Sequence, residues 1–161
     1  MKTLVLVRHA KSSWDHPGLD DHERPLNERG LRDAPKMGRR LAERGLAPDV
    51  VLSSTAVRAL TTAELLAEAI GVDRDRVIAD ERLYATSATG LLDVIAGLDA
   101  AVDTAMVVGH NPEMTSLVQR FTDEIGDPPT CAVVEFRFEA DTWDELDEGL
   151  VRDVHLETPR S

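Results

Sequence analysis

The feature that most constrains this chain is an alternation of short apolar runs with helical stripes, kept up from one end to the other. Leu4 to Val7 is wholly apolar and rich in β-branched side chains, as expected of a strand buried on both faces. Residues 28–46 then carry a helical stripe of Leu31, Ala34, Met37, Leu41 and Ala42, with Asn27 placed to cap it. Pro35 interrupts that stripe and predicts a kink or two short pieces. Val50 to Leu52 reads as a second strand. It leads into a helix capped by Ser54 or Thr55, with Ala56, Leu60, Ala63, Leu66 and Ile70 on one face.

The rest repeats the theme. Val77 to Ala79 reads as a short strand, and residues 87–98 as a helix through Leu91, Leu92, Ile95 and Leu98. Ala105 to Val108 is another buried strand. Asn111-Pro112 opens a helix with proline at its first position, followed by Met114, Leu117, Val118, Phe121 and Ile125 on one face. Cys131 to Phe138 and Leu150 to Leu156 close the chain as strands, and the acidic turn between them carries Trp143. This pattern predicts a three-layer α/β/α sandwich with a mostly parallel central sheet. With no linker, repeat or low-complexity stretch, residues 1–161 read as a single domain.

Charge and cysteine content narrow the partners. Eighteen basic against thirty acidic side chains give a net charge of −12. An acidic surface repels phosphate backbones and anionic lipid, so neither nucleic acid nor membrane is expected as a partner. The apolar run at the N-terminus is too short for a signal peptide, and no stretch approaches a membrane span. The single cysteine, Cys131, excludes an intrachain disulfide and a multi-cysteine metal site, and reads as a small buried strand residue. A reduced, cytoplasmic protein fits these features.

Open parallel sheets put their chemistry at the carboxyl ends of the strands. There the first strand finishes in Arg8-His9-Ala10 and a later one in Gly109-His110-Asn111-Pro112, while the strand at 50–52 leads to Arg58 in the first turn of a helix. Helical side chains lean toward the N-terminus, so Arg58 can reach back to the strand end. Helix N-termini beside the two later groups offer free N–H donors to an anion. Two arginines and two histidines so placed describe a phosphate site. Guanidinium forks match phosphate oxygens bidentately and keep their charge. A neutral imidazole can attack phosphorus when its other nitrogen is held by a hydrogen bond. A second, protonated histidine would help the arginines to stabilise the transferring group.

Arg8-His9-Ala10 after the first strand, Ser53-Ser54-Thr55-Ala56-Val57-Arg58-Ala59 before a helix, and Val108-Gly109-His110 together resemble the histidine phosphatase superfamily, with a phosphoglycerate mutase-like fold. The superfamily's first motif is normally Arg-His-Gly, so Ala10 is a departure. The length, with Arg24-Pro25-Leu26-Asn27-Glu28-Arg29-Gly30, is most similar to the SixA-type phosphohistidine phosphatases. The resemblance implies His9 as nucleophile and Arg8, Arg58 and His110 as the phosphate pocket.

Two details bear on substrate. Superfamily members that cleave phosphate esters carry a glutamate acid after an Asp-x-Arg-Leu-like segment, and in Asp80-Glu81-Arg82-Leu83-Tyr84-Ala85 that place falls to Ala85. Glu81 lies close enough in sequence to take its place, the alternative being a solvated loop charge. Residues 80–86 are also brief where larger relatives insert substrate-enclosing elements, so a shallow site open to a histidine on another protein is expected. The loop 10–26 is the candidate recognition element, with Lys11, Ser12 and Arg24 as further phosphate or substrate contacts and Trp14 beside them.

His16 and His22 lie among Asp15, Asp20 and Asp21 without ligand spacing, so no metal is assigned and no cofactor is implied. His155 is expected to face solvent. The leading reading is an enzyme that dephosphorylates phosphohistidine on a protein. A small-molecule phosphomonoesterase of the same superfamily and a non-catalytic phosphate-binding module are the alternatives.

Overall fold

The computed structural model describes residues 1–161. One six-stranded sheet runs through it, built from β1 (Lys2–Arg8), β2 (Val50–Ser53), β3 (Val77–Ala79), β4 (Thr104–Gly109), β5 (Val133–Phe138) and β6 (Val151–Glu157). The spatial order is β3-β2-β4-β1-β5-β6. The pairs β3–β2, β2–β4 and β4–β1 are parallel, while β1–β5 and β5–β6 are antiparallel. Four helices cover the sheet: α1 (Glu28–Glu43), α2 (Val57–Ile70), α3 (Ala88–Ala96) and α4 (Glu113–Phe121).

The layers follow from side-chain alternation along the strands. Leu4 and Leu6 of β1 join the core beneath α3 and α4, with Leu91, Leu117, Phe136 and Trp143. Val5 and Val7 join the core beneath α1 and α2, with Met37, Leu41, Ala63 and Leu66. All four β1 residues are fully buried, which is why that run carries no polar alternation. Trp143 also goes inside, and its Nε1–H donates to the Val102 carbonyl at 2.8 Å.

Several local expectations are corrected. Helix α1 is one element, not two pieces, although Pro35 lies within it. The carbonyl deprived of its partner by Pro35 is that of Leu31, on the exposed side of the helix where water can reach it. Leu31 and Ala42 are off the buried face, which consists of Gly30, Asp33, Ala34, Met37, Gly38 and Leu41. Asn27 caps α1 as expected, accepting from the Gly30 N–H at 2.9 Å. For α2, no side chain caps the N-terminus, and Leu60 and Ile70 are only half-buried; Arg58, Ala59, Thr62 and Ala67 are buried instead. Pro112 sits at the cap, one residue before α4 begins. Cys131 is buried but precedes β5 in a left-handed turn at φ 62°, its N–H directed at the Arg8 and His9 carbonyls. His155 is exposed. No helix is long and apolar enough to cross a membrane.

Candidate active site

Sheet order brings the motifs together. Strand β4 lies between β1 and β2, with Arg8 opposite Gly109 and Ser53 opposite Val108, so three strands end at one level. The His9 N–H donates to the Gly109 carbonyl and the Ser54 N–H to the Val108 carbonyl, which ties the three strand exits into one floor. Above it opens a pocket of about 200 Å³ lined by Arg8, His9, Lys11, Ser12, Trp14, Arg24, Arg58, His110, Asn111 and Thr130. All seven residues expected at the site are among these. A larger hollow beside Thr3, Arg44 and Thr104 lies at the opposite end of the sheet, where Arg44 is paired with Glu135.

His9 has a defined tautomer. Its Nδ1 lies 2.7 Å from the Ala10 carbonyl, which can only accept, so Nδ1 carries the hydrogen and Nε2 keeps its lone pair. Nε2 makes no hydrogen bond within the chain. Burial, then the charges of Arg58, Arg8 and Arg24, lower the His9 pKa to about 4, against the opposing pull of the Ala10 bond. At neutral pH the ring is uncharged.

His110 differs from expectation. Burial, with His9 and Arg58 nearby, pushes its pKa down to about 3, which favours the neutral ring over the protonated one. Its Nε2 shares a hydrogen bond of 2.8 Å with the Ser54 hydroxyl, and its Nδ1 is buried without a partner. Arg8 Nε is likewise a buried donor without an acceptor, while Arg8 Nη1 donates to the Pro128 carbonyl at 2.9 Å. Orphaned polar atoms on two pocket residues suit an anionic guest that supplies oxygens, and such a dianion would favour the protonated form of His110.

The loop 10–26 folds back over the pocket rather than away from it. Ser13 N–H donates to the Pro25 carbonyl and Asn27 N–H to the Lys11 carbonyl. A Cβ at position 30 would lie 2.3 Å from the Lys11 carbonyl oxygen, so glycine there permits the loop to rest on α1. Arg24 is thereby buried, with its Nε on the Ser13 carbonyl, Nη2 on the Ser12 hydroxyl and Nη1 on Asp21. Ser12 accepts from Arg24 and retains its own O–H for a ligand. The Trp14 ring stacks on the Arg24 guanidinium at 3.4 Å.

Four further residues, not expected at the site, contribute to it. Asp21 binds Arg58, Arg24 and the Tyr84 hydroxyl together. The Tyr84 bond, then Arg58 and Arg24, hold its carboxyl at about 2. Ser54 and Thr55 turn their hydroxyls to His110 and His22 instead of capping α2 as expected. His22, to which no role was assigned, meets Thr55 at 2.8 Å and packs edge-on against Tyr84. Only Asp21 offered a signal, as an acidic residue shortly before Arg24 in the one long loop.

No carboxylate lines the pocket. Glu81 and Ala85 are exposed and outside it, Ala85 in a left-handed conformation at φ 54°. Glu113, at the start of α4, is buried, and burial raises its pKa although its own N–H and that of Thr86 oppose the shift.

Comparison with known proteins agrees with this geometry. The family described as the histidine phosphatase superfamily (branch 1) matches residues 4–87. An uncharacterized protein of Mycobacterium tuberculosis is 33% identical over 96% of this chain and 100% of its own length. A SixA protein of Agrobacterium tumefaciens superposes with a TM-score of 0.80 at 28% identity, covering 98% of this chain and 99% of that one. A 2,3-bisphosphoglycerate-dependent phosphoglycerate mutase of Thermobifida fusca is 42% identical over a shorter stretch, 45% of this chain and 30% of the mutase. From its strand-end motifs to its sheet, the chain belongs to the histidine phosphatase superfamily.

Proposed function

We propose that this histidine phosphatase removes the phosphoryl group from phosphohistidine on a protein by way of His9. The observation that carries the reading is the His9 tautomer: Nδ1–H is fixed on the Ala10 carbonyl, leaving Nε2 as a free lone pair among arginines. In the first step Nε2 forms a bond to phosphorus as the P–N bond to the substrate imidazole breaks. Arg8, Arg58 and Arg24 meet the charge on the phosphoryl oxygens, with His110 joining them once phosphate raises its proton affinity. A substrate imidazole protonated on its distal nitrogen departs as a neutral ring. Water then cleaves phospho-His9, releasing inorganic phosphate and restoring the lone pair.

The same step on an alkyl ester expels an alkoxide, a poor leaving group that gains much from a general acid. No carboxylate lines this pocket, and the acid's expected place is held by Ala85. That supports a P–N substrate. So does the short connection from β3 to α3, a single turn of 3-10 helix at Glu81–Leu83, which leaves the site accessible to a side chain of another protein.

The test compares hydrolysis of a phosphohistidine peptide with that of sugar phosphates, in native protein and in His9→Ala. The native protein should favour the peptide. The variant should lose turnover while still binding inorganic phosphate through the arginines. Substantial activity in His9→Ala would overturn the covalent route, and a preference for sugar phosphates would overturn the substrate class.

A further inference from the structure

Trp14 is 73% exposed, the most solvent-accessible large hydrophobic side chain of the molecule, whereas Trp143 is 1% exposed. Leaving an indole in water forgoes the free energy of burying it, and Trp14 sits at the wall of the phosphate pocket. One of its faces is already fixed, lying over the Arg24 guanidinium at 3.4 Å. Arg24 in turn is held by three hydrogen bonds within the loop, so the platform is rigid. The opposite face is free. The other rings around the pocket are engaged with one another, His9 with His110 at 5.1 Å and His110 with Tyr84 at 5.6 Å.

We infer that the free face of Trp14 stacks the imidazole ring of the substrate, making Trp14 a specificity-determining residue that selects flat aromatic leaving groups. The inference rests on the phosphohistidine reading above and adds how the ring, as distinct from the phosphoryl group, is recognised. An arginine-backed indole presents a flat surface of low conformational freedom, and stacked aromatic pairs gain free energy beyond the area they bury.

The experiment uses two P–N peptides of one sequence that differ in the phosphorylated side chain: phosphohistidine, which has a ring, and phospholysine, which has none. Values of kcat/KM are measured for native protein, Trp14→Ala and Trp14→Phe. Loosening of Arg24 would slow both substrates alike, so the readout is their ratio. Native protein should prefer phosphohistidine, Trp14→Ala should lower that preference about tenfold, and Trp14→Phe should restore most of it. An unchanged ratio in Trp14→Ala, whether both rates fall or neither does, would overturn the stacking role and leave the phosphohistidine reading standing. A native protein that turns over neither P–N substrate but hydrolyses sugar phosphates would overturn both.

Discussion

Arg58 grips Asp21 twice, its Nη1 donating to the Asp21 backbone carbonyl at 2.6 Å and its Nη2 to the carboxylate at 2.9 Å. The second carboxylate oxygen takes Arg24 Nη1 at 3.0 Å, and the Tyr84 hydroxyl donates to the first at 2.8 Å. Both arginines line the pocket above the strand ends but Asp21 does not. Asp21 therefore aims two guanidinium groups from outside and joins the loop 10–26 to the connection after β3. Arginine has further N–H groups to spare, so these contacts leave donors for a phosphoryl group.

Replacing Asp21 with asparagine keeps the shape and removes the charge that orients both arginines. We expect kcat/KM to fall about tenfold, the scale of losing one charge-assisted hydrogen bond. Steady-state kinetics check this. A rise in kcat/KM would instead mean that Asp21 competes with substrate for Arg58.

Arg58→Lys retains the positive charge but not the fork. A lysine cannot hold Asp21 at two points and still present directed donors to phosphate. The expected loss is roughly two orders of magnitude or more in kcat/KM, by analogy with removing one transition-state donor. Near-native kinetics in this variant would remove Arg58 from the phosphoryl grip.

Much of this site was legible because a parallel sheet exposes chemistry at the carboxyl ends of its strands, where Arg8, His9 and His110 stand in the sequence. What the sequence does not carry is which strands are neighbours. That β4 separates β1 from β2, and so sets His110 beside both His9 and Ser54, appears only once the sheet is assembled. Asp21 was opaque for a similar reason, since its three partners come from its own loop, from α2 and from the segment after β3. Helix α1 departs from its sequence pattern for another reason. A stripe judged by side-chain size favours Leu31 over Gly30 and Gly38, yet the glycines are the buried positions. A Cβ on Gly38 would lie 2.6 Å from the Ala69 Cβ, so close approach of α1 to α2 selects the absence of a side chain.

The two buried histidines predict a pH signature. In the proposed mechanism His9 must be neutral to attack, and its pKa is lowered from 6.5 to about 4. The acid limb of kcat/KM, which reports the free enzyme, should accordingly lie near pH 4. Stability follows with a definite sign. Between pH 6.5 and 4 the unfolded chain binds a proton at His9 that the native protein refuses, so stability falls as pH drops. The slope is about 1.4 kcal/mol per pH unit for one histidine. Denaturant unfolding of His9→Ala should show a pH dependence shallower than native by that amount over this range. Equal slopes, or an acid limb near 6.5, would mean that His9 titrates as an ordinary exposed histidine.

The final prediction concerns the departing group. With Ala85 exposed at the place where the family resemblance expects the acid and no carboxylate lining the pocket, no carboxyl group there is set to protonate a leaving alkoxide. The rate should therefore depend steeply on how well the leaving group carries charge. Phosphohistidine and aryl phosphates should turn over far faster than alkyl or sugar phosphates of similar size. A series of phosphate esters of graded leaving-group pKa measures this slope directly. Ala85→Glu should flatten it by supplying a proton as the alkoxide departs, and because Ala85 already carries a Cβ in its left-handed conformation the substitution adds little backbone strain. If the native protein already shows a flat slope, an acid is present, and two carboxyls compete for the role. Glu81 is exposed and outside the pocket, whereas Glu113 is buried, has a raised pKa and stands beside Thr86, next to the vacated position. Glu113→Gln would then be the decisive variant, because steepening of its leaving-group dependence would identify the acid and remove the main support for a phosphohistidine substrate.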